Sequence, residues 1–90
     1  MWIYTKNDEL INTDKVTCFN VCKGKNYYDD DAVLKTYHYI CADGKRIIKL
    51  SNQDESLQEI NNIKRSIADN VLVYEANGVK LNDDENNSAE

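Results

Sequence analysis

The sequence predicts an α+β fold: an antiparallel β-meander of about four strands, one helix packed on one face and a C-terminal strand, in the order β-β-β-β-α-β. Three observations carry this. Asp43-Gly44 sits between alternating apolar runs, YHYICA before it and KRIIKL after it. Both central residues of a type I′ turn need φ > 0, so this pair marks a tight hairpin. Leu57, Ile60, Ile63, Ile67 and Ala68 fall within an arc of roughly 140° at about 100° per residue, the stripe of a helix packed on a core. The run VLVYE, Val71–Glu75, follows Asp69-Asn70 and is β-branched, which favours a last strand over a longer helix.

Taken in order, Trp2-Ile3-Tyr4-Thr5 reads as a first short strand, and Asn7-Asp8 as a turn from which Leu10-Ile11-Asn12 returns. Val16–Cys22 is two-faced, with Thr17, Phe19 and Val21 on the more apolar side, so Phe19 and Val21 are expected in the core. Gly24–Asp31, GKNYYDDD, has the Gly, Asn and Asp content of a loop. A long strand then runs from Ala32 to Cys41. A two-residue turn pairs Ala42 with Lys45, Ile40 with Ile47, Tyr39 with Ile48 and Tyr37 with Leu50. Tyr37, Tyr39, Ile48 and Leu50 then share the expected core face, and Thr36, His38 and Lys49 the opposite one. A slip of one residue would exchange the two sets. Asn52 and Glu55 resemble a capping box at the helix start, and Asn70 suits the position after its end. Asn77-Gly78 is a second candidate turn, into Val79-Lys80-Leu81.

With 90 residues the chain is expected to form one domain, residues 1–81, followed by an acidic disordered tail, residues 82–90. The tail carries four of the 16 acids and no base, so the rest holds 12 acids against 11 bases. A near-neutral body lacks the basic excess of a phosphate-binding surface, so direct nucleic-acid binding is not expected. No apolar run is long enough to span a membrane, and no basic segment precedes an apolar one near Met1. A cytoplasmic protein is expected. The three cysteines, Cys18, Cys22 and Cys41, are an odd count and suggest reduced thiols rather than a disulfide framework.

The opening Met1-Trp2-Ile3-Tyr4-Thr5, then Leu10-Ile11-Asn12, Val16, the Asp43-Gly44 hairpin and a helix followed by a Val-Tyr strand, resembles short uncharacterised proteins of low-GC bacteria and their phages. The resemblance spans roughly residues 1–76. It implies a meander-plus-helix fold and no activity, ligand or functional residue.

Chemistry-bearing residues are few. Cys18, Cys22, Cys41 and His38 are a ligand set that zinc accepts, but Cys18 and Cys22 on one strand would stand about 13 Å apart, while zinc needs each sulfur at about 2.3 Å. His38 is the one candidate base for a thiol nucleophile. There is no P-loop, dinucleotide fingerprint or zinc-protease motif, so no cofactor and no enzymatic activity are expected. The candidate partner-binding patch is Tyr27, Tyr28, Asp29, Asp30 and Asp31. Two adjacent tyrosines in a loop cannot both enter a core, and Tyr is enriched at recognition surfaces. The expected function is therefore a small non-enzymatic module that binds another protein. Its sharpest form is a mobile-element inhibitor of a host nucleic-acid-handling protein. The alternatives are a homo-oligomer or accessory subunit joined through the edges Trp2–Thr5 or Val71–Glu75, and a thiol or metal protein.

Overall fold

A computed structural model describes the backbone of residues 1–28 and 34–82 and the side chains of residues 1–24 and 36–82. The elements are β1 (Trp2–Tyr4), β2 (Leu10–Asn12), a 3-10 turn (Thr13–Lys15), β3 (Phe19–Tyr28), β4 (Leu34–Ala42), β5 (Lys45–Leu50), α1 (Gln53–Ala68) and β6 (Val73–Glu75). The fold is α+β. The strands before the helix do not form one meander. They divide into two sheets of three strands, ordered β2-β1-β6 and β3-β4-β5.

The small sheet joins the two ends of the described chain. β1 pairs antiparallel with β2, Ile3 opposite Ile11, and parallel with β6, Ile3 opposite Tyr74. The β1–β2 connection closes on buried Thr5, whose Oγ1 accepts from the N–H groups of Asn7 (3.3 Å) and Glu9 (3.2 Å). The expected edge at Trp2–Thr5 is corrected by this topology. β1 is the central strand, paired on both sides, whereas β6 is an edge as expected.

In the larger sheet the Asp43-Gly44 turn forms as the sequence predicts, with φ of 50° and 85°. The Asp43 side chain also ties the approach to β3 to the hairpin, because its carboxylate accepts from the N–H groups of Thr17 (3.1 Å) and Cys18 (2.9 Å). The register two residues further on differs from the expected one. Ala42 faces Lys45 and Cys41 faces Arg46, but then Ile40 faces Ile48, Tyr39 faces Lys49 and His38 faces Leu50. Ile47 is an extra residue, a β-bulge. The bulge exchanges the faces beyond it. Val21, Ile40, Ile48 and Leu50 line the helix side with Phe19, Ala42 and Ile47. Tyr39 and Cys41 lie on the other side under Leu81, with Cys22 and Tyr37 against them. The expected core face of Tyr37, Tyr39, Ile48 and Leu50 is therefore split between two clusters. His38 shares the face of Leu50, not that of Lys49.

The expected loop Gly24–Asp31 is also corrected. β3 continues to Tyr28, with Asn26 opposite Thr36, Tyr27 opposite Lys35 and Tyr28 opposite Leu34. Gly24 marks a second bulge in this strand. A Cβ there would collide with the Tyr39 ring and stand 2.8 Å from the carbonyl oxygen of Tyr37, so only glycine lets the strands approach.

The helix starts where its cap predicts. The Asn52 side chain accepts from the Glu55 N–H (2.8 Å), and Glu55 reaches back to the Ser51 N–H (3.1 Å). Asn70, with φ of 57°, follows its end. The buried stripe is rotated from the expected one. Ser56, Glu59 and Ile63 are buried and Ile60 packs against the core, whereas Leu57 and Ile67 are exposed. Beyond β6 the chain crosses to β5. After Asn77-Gly78 the Val79 N–H donates to the Lys49 carbonyl (2.9 Å), forming a single bridge to β5. Asn7 holds Leu81 from both sides, donating to its carbonyl (3.0 Å) and accepting from its N–H (2.9 Å). Gly78 makes this crossing with φ of 91°, and a Cβ there would run into the Lys49 carbonyl oxygen.

Candidate functional site

Alternation along β1, β2 and β6 sorts their side chains onto two faces. Ile3, Ile11 and Tyr74 face the core. Trp2, Tyr4, Leu10 and Val73 face away from it, and they keep 40%, 38%, 60% and 46% of their surface exposed. Cross-strand pairing makes them one patch. Val73 lies beside Trp2 and Leu10 beside Tyr4. Leu72, just before β6, is 76% exposed, and by the same alternation it falls on the side of Tyr74 rather than in the patch. This cluster is the candidate contact surface among the described residues.

The patch also has a polarity. Glu75 is paired with Tyr4 across the β1–β6 ladder, and the Tyr4 hydroxyl donates to Asp8 Oδ1 (2.7 Å). Tyr4 therefore stands between two carboxylates. The bond to Asp8 first, then the Asp8 and Glu75 charges, hold its phenol above the usual value. An aromatic face edged by carboxylates suits a lysine or arginine that stacks on the ring while meeting an acid. The chain makes such stacks itself on the far side of the larger sheet. The Arg46 guanidinium lies 4.4 Å from the Tyr39 ring centre and the Lys49 ammonium 4.1 Å from that of Tyr37.

Of the residues expected to bind a partner, Tyr27 and Tyr28 close the paired part of β3, and Asp29, Asp30 and Asp31 lie outside the described residues. The structure places Trp2 and Tyr4 in a patch that the sequence reading did not assemble. The Trp2/Ile3/Tyr4 alternation was visible, but the outward side of it is decided by β6, from the other end of the chain.

The other candidate chemistry is dispersed. Cys18 is exposed, Cys22 half-buried and Cys41 buried. Burial first, and then its contact with Cys22, push the Cys41 thiol up to about 12, far from a reactive thiolate. His38 faces Leu50 and Lys23, and its Nδ1 is buried with no hydrogen-bond partner among the described residues. Among the described residues no three His, Cys, Asp or Glu side chains stand together as a metal site would need. No helix among them is long and apolar enough to cross a membrane.

A cleft of about 370 Å³ lies between α1 and the crossing segment, lined by Glu55, Gln58, Glu59, Asn62, Asn77 and Gly78 among others. Its buried carboxylate is already engaged. Glu59 Oε1 accepts from the Tyr74 hydroxyl (2.9 Å) and Asn77 Nδ2 (2.8 Å), and Oε2 from the Asn77 N–H (2.8 Å). This is a structural latch between helix and turn. In comparisons with known proteins the chain matches no family model, no curated protein and no solved structure.

Proposed function

We propose that this chain is a small non-enzymatic module that binds another protein, and that it does so through the outward face of the β2-β1-β6 sheet. The observation that carries the reading is the patch of Trp2, Tyr4, Leu10 and Val73 with Asp8 and Glu75 at Tyr4. Aromatic side chains supply large contact area at low entropic cost, and the carboxylates set the sign of what they meet. The matching partner surface is apolar with projecting lysines or arginines. A groove that handles nucleic acid has this chemistry, so the sharpest version is an inhibitor occupying such a groove, carried by a mobile element. The acids Asp29–Asp31, with Tyr27 and Tyr28, form a second arm of the same reading.

The test is capture of a partner from cell lysate with the full chain, followed by measurement of affinity for the purified partner. The double variant Tyr4→Ser, Glu75→Lys is expected to weaken binding at least about tenfold, the scale of a lost interface anchor. Changing Tyr27, Tyr28 and Asp29–Asp31 together to Ser reports on the second arm separately. Undiminished binding by the Tyr4/Glu75 variant would remove the sheet face from the proposal.

A further inference from the structure

β6 has one bonded side and one open side. At its ends the Trp2 N–H donates to the Leu72 carbonyl (2.9 Å) and the Ala76 N–H to the Tyr4 carbonyl (3.0 Å). In a parallel ladder of this register Leu72, Tyr74 and Ala76 turn their backbone groups to β1, so Val73 and Glu75 turn theirs outward. Among the described residues β6 carries no Pro, no Lys and no bulge; its protections as an edge are its three-residue length and the charge of Glu75. The open stretch is also bounded. The Val71 N–H already donates to the Ser66 carbonyl (3.0 Å), and the Asn77 N–H to Glu59 Oε2 (2.8 Å). The outward donors available to another strand are those of Val73 and Glu75, placed symmetrically about Tyr74.

We infer that this edge pairs with the same edge of a second copy, antiparallel about a two-fold axis at Tyr74. In that register Val73 of each copy faces Glu75 of the other, and the outward N–H and C=O groups of both residues are satisfied on both chains by four hydrogen bonds. Each Glu75 faces a valine rather than the other Glu75, so like charges are not brought opposite one another. Leu72, the most exposed large apolar residue of the described chain, is brought beside Ala76 of the second copy. The product is a continuous six-stranded sheet, β2-β1-β6 followed by the same strands in reverse. Because the interface is isologous, it closes at two copies. The inference does not rest on the partner-binding reading. It uses the strand edge, whereas that reading uses the sheet face, and the dimer would present that face twice.

Sedimentation equilibrium of the full chain, from about 5 to about 500 µM to span a weak interface, is expected to show mass rising from 10.4 kDa towards twice that value. Two substitutions at the exposed Val73 then read the register. Val73→Glu places Glu opposite Glu75 twice and is expected to raise the dissociation constant about tenfold. Val73→Lys places Lys opposite Glu75 twice and is expected to leave the dimer as tight as wild type or tighter. Circular dichroism checks that both variants keep the fold. A mass fixed at 10.4 kDa throughout overturns the inference. So does equal behaviour of the two variants, whether both dimerise as wild type or both fail. None of these outcomes touches the Tyr4/Glu75 binding test, whose readout is a different protein.

Discussion

Single residues in this chain hold together segments that are far apart in sequence. Asp43 makes a turn and caps the approach to β3 with the same side chain. Glu59, on the helix, gathers the Tyr74 hydroxyl and both nitrogens of Asn77, so one buried carboxylate fixes β6 against α1 and aims the chain towards Gly78. This arrangement leaves a mark on pH dependence. Burial, reinforced by the bond to Glu59, pushes the Tyr74 phenol from 10.0 up to about 12, and burial does the same for the Cys41 thiol, from 9.0 to about 12. A group whose folded pKa is raised stabilises the fold fully below its unfolded pKa and loses that contribution as pH climbs through the folded one. For Cys41 the loss runs from pH 9 to about 12, and for Tyr74 from pH 10 to about 12. The urea midpoint is therefore expected to fall steadily across that window. Tyr74→Phe, which cannot ionise, should begin from a lower midpoint because Glu59 has lost a donor, yet fall less steeply above pH 10. Parallel slopes for the two proteins would show that Tyr74 does not titrate with unfolding.

At the scale of elements, the β4–β5 hairpin separates what is legible in a sequence from what is not. The turn was legible because Asp-Gly answers a strictly local demand for positive φ. The helix start was legible for the same reason, since Asn52 and Glu55 act within one turn. The faces of the hairpin were not. Two adjacent isoleucines, Ile47 and Ile48, satisfy either register, and nothing local announces a bulge between them. The bulge wins because it brings both into the core, with 2% exposure each, and turns Tyr39 and Cys41 to the side closed by Leu81. Strict alternation would instead bury one isoleucine and leave the other on the opposite face. Ile47→Ala and Ile48→Ala are therefore both expected to destabilise the fold by about 2–4 kcal/mol in urea unfolding, the cost of emptying a packed site. A change of a few tenths for Ile47→Ala would restore the unbulged pairing of Ile40 with Ile47. The rotated helix stripe has a related origin. Periodicity located an apolar arc, but Ser56 and Glu59 are buried because Gln53 and the Tyr74–Asn77 turn supply hydrogen bonds that periodicity does not register.

For the whole molecule the deciding contact is the least local one. β1 and β6 stand at opposite ends of the described chain and meet in parallel. No sequence pattern in either strand names the other, and for this reason the outward side of Trp2 and Tyr4, and with it the candidate binding patch, could not be read from their alternation. The same contact makes the fold depend on its last described segment. That segment supplies the second flank of β1, the buried side chains of Ala76 and Leu81, and all three donors to Glu59. Removing it strips Glu59 of those hydrogen bonds, leaves Ile3 with one neighbouring strand and deletes the buried Ala76 and Leu81. Hydrogen bonds of about 1 kcal/mol each and apolar burial of about 25 cal/mol per Å² together rival the about 5–15 kcal/mol that holds a small domain. A chain ending at Asn70 is thus expected to show no cooperative urea transition by far-ultraviolet circular dichroism, whereas a chain ending at Asn82 unfolds in one. The comparison is matched, because both lack the same acidic residues beyond Asn82 and differ only in β6 and the crossing to β5. If the shorter chain kept the midpoint of the longer one, the β3-β4-β5 sheet and α1 would be a self-sufficient unit. The small sheet would then be an appendage whose face could be altered without cost to the fold.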